Sequence, residues 1–357
     1  TCFFVGFVIA RNKMTKQSVS PPPKIHSILI INLAFIGDVI LSTPVARAMR
    51  ETYPEATIDM LTVKVPAPIA ELNPYIDKVI IYDKKGHHKQ WWQVLTLIRE
   101  LKSRHYDLAV CTNFAVRGAI LAWAIGAPHR IGYDAQHGKW FLTRSASARR
   151  PVIRHEADNY LDVLQPLGIS TRDTSLALTI REEDRQTVRQ ILKRTPGKLL
   201  IIICPAGSYS RKSWTSDGYA TVIKELAPIA DLALIGGIAE LPFLNELNRQ
   251  ADGQAQVFGG TFSLQELAAL VAYADLLITV DTGPLHIAQA VGTPVLALFG
   301  PTDPAVWGPR GQRDLVLYSK ADCSPCWGKV ASCDHRCMTA ITAAEVIEKV
   351  HEILYAR

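Results

Sequence analysis

Residues 205–214 contain the chemical groups of a phosphate-binding loop. The segment follows an apolar run and includes Gly207, Ser208 and two further serines, and two adjacent cations, Arg211 and Lys212, stand near its end. On a connection between a strand and a helix, backbone N–H groups, hydroxyls and a cationic side chain can together cradle a phosphate. The spacing is not that of a P-loop, so the sequence favours a phosphate site of another design.

A second candidate anion site lies at residues 281–286, which read Asp-Thr-Gly-Pro-Leu-His. Pro284 suits the first turn of a helix, and Thr282 or Gly283 can cap it. The free backbone N–H groups and the positive end of the helix dipole would then attract a pyrophosphate. An ordinary capped turn without a ligand is the alternative. The loop at 299–304 would border the same site.

The third candidate loop covers residues 32–39 and follows the first apolar run of the chain. Gly37 allows a tight turn, and Asp38 stands at the start of the next helix. In an α/β domain this position faces the ligand cleft. Capping of the helix N-terminus is the alternative role of Asp38.

The elements that must position these loops alternate regularly along the chain. Short apolar runs predict strands at 28–31, 57–62, 78–82, 107–111, 199–203, 231–236, 276–280 and 295–299. Amphipathic stretches predict helices at 38–52, 65–72, 91–103, 115–124, 216–228, 240–250, 264–272, 284–291 and 343–355. The pattern predicts an α/β protein with two Rossmann-like domains whose parallel sheets face a central cleft.

The length of 357 residues suits two domains of ordinary size. We place an N-terminal domain at 24–180 and a C-terminal domain at 181–357, because the charge-rich stretch 175–198 separates the two series of elements. Residues 1–23 are predicted to be a disordered lead outside the fold, with Met14 as the natural start. No apolar run approaches the ~20 residues of a membrane-spanning helix.

Charge is unevenly distributed along the chain. The whole chain carries a net charge of +6, but residues 84–155 contain thirteen Lys or Arg and only three Asp or Glu. That segment is therefore +10 and the remainder −4. A basic surface of this kind would receive phosphates or carboxylates; a scattered set of solvated charges is the alternative.

Four cysteines fall within 15 residues, at Cys323, Cys326, Cys333 and Cys337. The spacing permits a tetrahedral zinc site, while two redox-sensitive pairs or unliganded thiols are the alternatives. No dinucleotide fingerprint, nucleophile elbow or His-Glu-x-x-His motif occurs. There is also no Asp-x-Asp pair, so a sugar transferase built on this chain would lack the usual paired carboxylates that clamp a metal ion.

At these loops the sequence resembles the lipopolysaccharide heptosyltransferases of glycosyltransferase family 9. The resemblance rests on residues 28–44 with Gly37-Asp38, 126–133 with Arg130-Ile131-Gly132-Tyr133, 208–214, and 280–309 with Asp-Thr-Gly-Pro-Leu-His and Phe-Gly-Pro-Thr-Asp-Pro. It covers the chain from about residue 25 to the end. The cysteine stretch looks like that of members near heptosyltransferase II.

The resemblance implies a GT-B fold and an inverting, metal-independent transfer of L-glycero-D-manno-heptose from ADP-heptose to the inner core of lipopolysaccharide. Asp38 would be the general base, and Lys212 would neutralise the departing diphosphate. Asp281 would hold sugar or ribose hydroxyls and Glu240 the ribose hydroxyls, unless Glu240 is only an exposed residue at a helix start. The other expected donor-binding residues are Gly37, Ser208, Thr282, Gly283 and His286.

Under the same resemblance, the basic segment would meet an anionic lipopolysaccharide-core acceptor at the cytoplasmic face of the inner membrane. No cofactor is expected for catalysis, and a structural zinc ion is the one metal considered. A transferase using another nucleotide sugar is the main alternative, and a zinc-containing nucleic-acid-binding module is a remote one. The residues expected to bind the acceptor are Lys84, Lys85, Lys139, Arg144, Arg149 and Arg150.

Overall fold

The structure, a computed structural model, describes residues 24–148, 150, 152–207, 209–329 and 333–355. The predicted lead at 1–23 lies outside the described residues, as do two predicted site residues, Ser208 and Arg149.

The strands in the described residues form two parallel sheets. They are β1 (Ser27–Asn32), β2 (Thr57–Thr62), β3 (Lys78–Ile81), β4 (Leu108–Cys111), β5 (His129–Tyr133), β6 (Arg144–Ala146), β7 (Leu199–Cys204), β8 (Ala230–Gly236), β9 (Ala255–Gly259), β10 (Leu276–Val280), β11 (Val295–Phe299) and β12 (Leu315–Tyr318). One sheet has the order β3-β2-β1-β4-β5-β6 and the other the order β12-β11-β10-β7-β8-β9. The predicted α/β class with two parallel sheets is confirmed.

Helices cover both faces of these sheets. They are α1 (Ile36–Leu41), α2 (Thr43–Thr52), α3 (Ala67–Ala70), α4 (Trp91–Ser103), α5 (Val116–Ala124), α6 (Glu156–Leu161), α7 (Glu182–Ile191), α8 (Ser216–Leu226), α9 (Leu241–Gln250), α10 (Leu264–Tyr273), α11 (Gly283–Val291), α12 (Pro304–Trp307), α13 (Arg336–Thr339) and α14 (Ala343–Tyr355), with 3-10 turns at Ala135–Trp140, Asp162–Leu167, Ser210–Lys212 and Ile238–Glu240. In the described part of the chain, none of these helices has the length and apolar character needed to span a membrane.

The central strands are buried on both faces, which is why they read as continuous apolar runs. In β1, residues 28–31 are completely buried, and β10 and β11 are buried along their whole length. A strand covered by helices on both sides has no solvent face that would need polar residues. The predicted strands at 57–62, 276–280 and 295–299 are therefore confirmed to the residue.

The predicted helix at 38–52 is wrong in one respect, because it is two helices that meet at Ser42. The Ser42 hydroxyl donates to the Val39 carbonyl oxygen and accepts a hydrogen bond from Asn32 Nδ2. Pro44 follows in the first turn of α2, where its missing N–H costs nothing. Because of this break, α1 is a separate short helix at the edge of the cleft, and α2 follows it as a second helix.

The carboxyl ends of the two sheets carry the loops singled out in the sequence. In the first sheet the strand order reverses direction between β1 and β4, and in the second between β7 and β10. Such switch points leave a crevice in which α/β proteins bind ligands. The strands of the first sheet lie within 27–146 and those of the second within 199–318. The domain boundary predicted at 180/181 stays a prediction.

Candidate active site

A cavity of about 1140 Å³ lies between the carboxyl ends of the two sheets. Its wall includes the loop after β1, the loop after β3, and the loops after β7, β10 and β11. Residues that lie far apart in the sequence therefore face one space. The predicted site residues in this wall are Gly37, Asp38, Lys84, Lys85, Lys212, Asp281, Thr282, Gly283 and His286.

Asp38 both caps its own helix and faces the cavity. Its Oδ2 accepts a hydrogen bond at 3.1 Å from the backbone N–H of Phe35, the N-cap residue, which satisfies a free donor at the start of α1. Its Oδ1 accepts a second bond, at 2.6 Å, from the hydroxyl of Tyr160. The capping role and the cavity-facing role proposed for Asp38 are therefore compatible, because each carboxylate oxygen has its own donor.

Tyr160 is a site residue that the sequence did not reveal. It lies on α6, 122 positions from Asp38, and it is 4% exposed. Burial, together with the adjacent Asp38 carboxylate, raises the pKa of Tyr160 well above its usual range, so the phenol stays protonated and donates. No local sequence pattern could have paired these two residues.

Asn32 holds the loop between β1 and α1 in place through its side-chain amide. It ends β1 and is completely buried, and its Oδ1 accepts the backbone N–H of Ala34. Its Nδ2 donates to the backbone oxygen of Asp38 as well as to Ser42. These three bonds hold residues 33–38 over the end of the strand, since a buried amide that lost them would leave polar groups unpaired.

Gly37 brings this loop against the opposite domain. A β-carbon at this position would lie 2.9 Å from His286 Cδ2, which is closer than packed carbon atoms approach. The backbone of Gly37 does not adopt a left-handed conformation. The close approach of α1 to α11, rather than the expected tight turn, therefore explains why a glycine occupies position 37.

His286 presents a neutral imidazole to the cavity. It is 3% exposed, and burial lowers the pKa of His286 below its usual value. The Gln289 amide nitrogen donates to the Gly308 carbonyl, so its oxygen faces His286 Nδ1 at 3.2 Å. An amide oxygen accepts only, which assigns the ring proton to Nδ1 and leaves Nε2 as an acceptor.

Lys212 is held by Asp281 at the other side of the cavity. Its Nζ lies 2.8 Å from Asp281 Oδ2 and 3.1 Å from the Asp281 backbone oxygen, and 5.1 Å from the centre of the Tyr209 ring. Gly207 makes room for this arrangement, because a β-carbon there would lie 2.6 Å from Lys212 Cβ. The neighbouring cation Arg211 donates instead to the Gly328 carbonyl.

The start of α11 completes this side of the cavity. Thr282 occupies the N-cap position and Pro284 lies in the first turn, as predicted. The Thr282 side chain makes no capping hydrogen bond. The first backbone N–H groups of a helix have no partner within the helix, so this end of α11 offers donors to the cavity beside Lys212.

Three further polar atoms are buried around the cavity without a hydrogen-bond partner among the described residues. They are Tyr209 Oη, Thr302 Oγ1 and Trp307 Nε1. Burial, followed by the Asp281 charge, raises the pKa of Tyr209 to about 12. Buried polar groups are nearly always paired in folded proteins, so these atoms are available to hydrogen-bond a bound ligand or water. Tyr209 belongs to the loop at 205–214 and Thr302 to the loop at 299–304, both of which were singled out in the sequence.

Other predicted residues lie outside the cavity wall. Glu240 follows β8 at the same edge of the second sheet, but it does not line the cavity. Lys139 and Arg144 also lie elsewhere, and Arg144 donates to the Pro166 carbonyl. Arg150 pairs with Glu156 at 2.6 Å and lies over the Phe114 ring. The roles predicted for these four residues stay predictions.

The cysteine stretch forms part of the frame around the cavity. Trp327, between Cys326 and Cys333, lines the cavity, and its backbone N–H donates to Pro301. Burial, followed by the three other thiols of the stretch, raises the pKa of Cys337. Among the described residues, which omit 330–332, no three His, Cys, Asp or Glu side chains are grouped so as to hold a metal ion. The zinc site stays a prediction.

Comparison with known proteins identifies the family. The model of glycosyltransferase family 9 (heptosyltransferase) matches residues 94–336. Lipopolysaccharide heptosyltransferase 3 of Escherichia coli K12 is 31% identical over 298 residues, which cover 80% of this chain and 86% of that protein.

Solved structures give the same result at the level of the fold. A glycosyltransferase family 9 protein of Veillonella parvula superimposes with a TM-score of 0.83 at 27% identity, covering 95% of this chain and all of the other (100%). The E. coli heptosyltransferase WaaC with ADP superimposes with a TM-score of 0.72 at 19% identity, covering 92% and 99%. The chain is a glycosyltransferase with the GT-B fold, and it belongs to glycosyltransferase family 9, the heptosyltransferase family.

Proposed function

We propose that this protein transfers L-glycero-D-manno-heptose from ADP-heptose to the inner core of lipopolysaccharide, with inversion at the anomeric carbon and without a metal ion. The observation that carries the proposal is the placement of a carboxylate, Asp38, and a cation, Lys212, in one cavity from opposite domains. The related WaaC structure contains ADP. A nucleoside diphosphate at the end of α11 would meet both Lys212 and free backbone donors.

In the proposed reaction, Asp38 is the general base. An acceptor hydroxyl attacks the anomeric carbon from the face opposite the diphosphate, and its proton passes to an Asp38 carboxylate oxygen. The new bond joins the acceptor oxygen to the anomeric carbon while the bond to the phosphate oxygen breaks. Attack from the opposite face inverts the anomeric configuration.

The electron pair of the broken bond leaves with ADP. Lys212 would neutralise the charge that grows on the diphosphate, together with backbone N–H groups near Thr282 and Gly283. Because Asp281 already holds Lys212, we propose that it orients the ammonium group in addition to meeting donor hydroxyls. Ser208 and Glu240 are proposed as further donor contacts, and His286 Nε2 as an acceptor for a donor hydroxyl.

The acceptor would enter over the basic residues of the first domain. Lys84 and Lys85 are exposed and line the cavity, which favours them as contacts for acceptor phosphates. Lys139, Arg144, Arg149 and Arg150 are proposed as secondary contacts. We propose that the protein works in the cytoplasm, at the surface of the inner membrane that holds the glycolipid acceptor.

Replacing Tyr160 with phenylalanine should lower kcat about tenfold and leave the donor KM unchanged. The variant removes one of the two hydrogen bonds that orient the Asp38 carboxylate, and it leaves the residues that would bind ADP-heptose unchanged. Steady-state kinetics with ADP-heptose measures this split. Tyr133→Phe is the matched control, because the Tyr133 hydroxyl is also buried but donates to the Asn159 carbonyl. A rise in donor KM with constant kcat would contradict the positioning role.

Product analysis tests the proposed function directly. Purified protein is incubated with defined lipopolysaccharide-core acceptors and either ADP-heptose, UDP-sugars or GDP-sugars, with and without a chelator. Mass spectrometry should detect one added heptosyl residue from ADP-heptose in both cases, and NMR of the product should show an inverted anomeric centre. Elemental analysis of the same protein reports bound zinc independently of activity.

Two results would overturn this assignment. Equal or better transfer from a UDP- or GDP-sugar would assign the site to another nucleotide sugar. Loss of transfer with the chelator, restored by a divalent cation, would end the metal-independent mechanism. The Asp38 and Lys212 roles are tested separately below.

A further inference from the structure

The first domain exposes four tryptophans. Trp91, Trp92, Trp123 and Trp140 are 69%, 53%, 56% and 74% exposed, whereas in the second domain Trp214 is 5% and Trp327 is 41% exposed. Tryptophan is usually among the more buried residue types, because it carries a large apolar surface. Exposed indoles that share one surface are typical of a contact site.

These tryptophans share one side of the first sheet. Helices α4 and α5 pack against the same face of that sheet through Leu97, Leu101 and Leu121. The turn Ala135–Trp140 lies against α5, and the rings of Trp123 and Phe141 are 5.9 Å apart. We call the outer surface of α4, α5 and residues 135–141 the tryptophan face.

Several cations on and beside this face have no internal partner among the described residues. In the basic segment, five arginines bond to carboxylates or backbone oxygens within the protein: Arg104, Arg130, Arg144, Arg150 and Arg154. Seven other cations make no side-chain hydrogen bond or ion pair with any residue that the structure describes: Lys84, Lys85, Lys89, Arg99, Lys102, Arg117 and Lys139. All seven lie on α4, on α5, or in the loops beside their tryptophans.

The one acidic residue in the loop that leads into α4 forms hydrogen bonds within that loop. Asp83 accepts the backbone N–H of Gly86 at 2.9 Å, and its own N–H donates to His88 Nδ1. The carboxylate therefore closes the turn and leaves Lys84 and Lys85 exposed. Because these two lysines also line the cavity, the tryptophan face extends to the mouth of the cleft.

We propose that the tryptophan face docks on an anionic lipid bilayer and holds the mouth of the cleft at the membrane surface. Indole rings beside Lys and Arg are typical of membrane–water interfaces, where the ring enters the headgroup region and the cation meets lipid phosphate. The unpaired positive charge complements an anionic leaflet. The inference rests on the proposed function, because a membrane-held acceptor would then reach the cavity past Lys84 and Lys85.

Vesicle co-sedimentation tests the face without any assay of transfer. The full-length protein is mixed with vesicles of phosphatidylcholine alone or with phosphatidylglycerol in equal parts, at low and high salt. We expect binding to the anionic vesicles, weakened by salt, with a blue shift of tryptophan emission. Trp91→Ser/Trp92→Ser should reduce binding about tenfold or more. Arg99→Glu/Arg117→Glu, at two exposed arginines of the face, should do the same through charge alone.

Matched controls lie outside the face. Tyr355 is 58% exposed at the end of α14, so Tyr355→Ser removes a comparable exposed ring. Arg172→Glu/Lys193→Glu reverses two exposed cations elsewhere. These variants should bind anionic vesicles like the wild type. All variants should transfer heptose normally to a core oligosaccharide that lacks lipid, and absence of transfer by the wild type would count against the proposed function only.

Three outcomes would overturn the inference. The wild type could fail to bind anionic vesicles, or both face variants could bind as the wild type does. Alternatively, size-exclusion chromatography could show an oligomer that Trp91→Ser/Trp92→Ser converts to a monomer, which would assign the face to a second copy of this chain. Melting temperatures close to that of the wild type establish that the variants are folded.

Discussion

Replacing Asp38 with asparagine should reduce kcat by about 10²- to 10⁴-fold while the affinity for ADP stays near that of the wild type. Asparagine keeps the shape of the side chain, and its amide oxygen can still accept from Tyr160. It cannot take up the proton of the acceptor hydroxyl. Donor contacts lie on the opposite side of the cavity, so ADP binding, measured by calorimetry, should not change.

Asp38→Ala should lose activity to the same extent but also lose stability. It would leave the Tyr160 hydroxyl and the Phe35 N–H without their acceptor, and an unpaired buried polar group costs about 1–3 kcal/mol. Asp83→Asn is a matched control, since Asp83 is a second carboxylate in the same cavity wall. An Asp38→Asn enzyme with turnover close to the wild type would remove the base assignment.

Replacing Lys212 with methionine should raise the donor KM and lower kcat, with a combined loss of about 10²- to 10³-fold in kcat/KM. Methionine keeps the length of the side chain but removes the charge that would meet the departing diphosphate. Asp281 is 6% exposed and would lose its cation. The Asp281 carboxylate would then repel the diphosphate. The affinity for ADP-heptose should therefore fall by more than the loss of the Lys212 contact alone would cause.

A double-mutant cycle separates these two effects. Lys212→Met/Asp281→Asn removes both charges, and donor affinity should recover in part relative to Lys212→Met alone, because coupled neighbours do not behave additively. Arg211→Met is the matched control, since that adjacent cation lies outside the cavity wall. An unchanged donor KM and kcat in Lys212→Met would contradict the role of Lys212.

The fold was largely predictable because buried parallel strands leave a strong signal. Runs such as 28–31 and 276–280 have no polar face, and helix 91–103 carries apolar residues at helical spacing. The weak elements were missed for the opposite reason. β6 is three residues long, and two of its residues are exposed. α7 consists mostly of charged and polar residues, and its buried residues are Asp184 and Val188. An element with so little buried apolar surface leaves no run of apolar residues in the sequence.

The site was predictable where its residues lie in loops that directly follow strands. Asp38, Lys212 and Asp281 follow three strands that end at the same cleft, so topology alone brings them together. The hydrogen bond from Tyr160 to Asp38 and the partnership of Lys212 with Asp281 are tertiary contacts between distant segments. The sequence contains the residues of such pairs but not the distances between them.

The contact of Gly37 with His286 bears on the spacing between the proposed base and the donor-binding helix. The loop that carries Asp38 meets α11 directly at Gly37, where a β-carbon would lie 2.9 Å from His286 Cδ2. A larger residue at position 37 would push α1 away from α11, and with it the Asp38 carboxylate away from the donor side of the cavity. Position 37 therefore couples the packing of the two domains to the geometry of the proposed reaction, although it carries no reacting group.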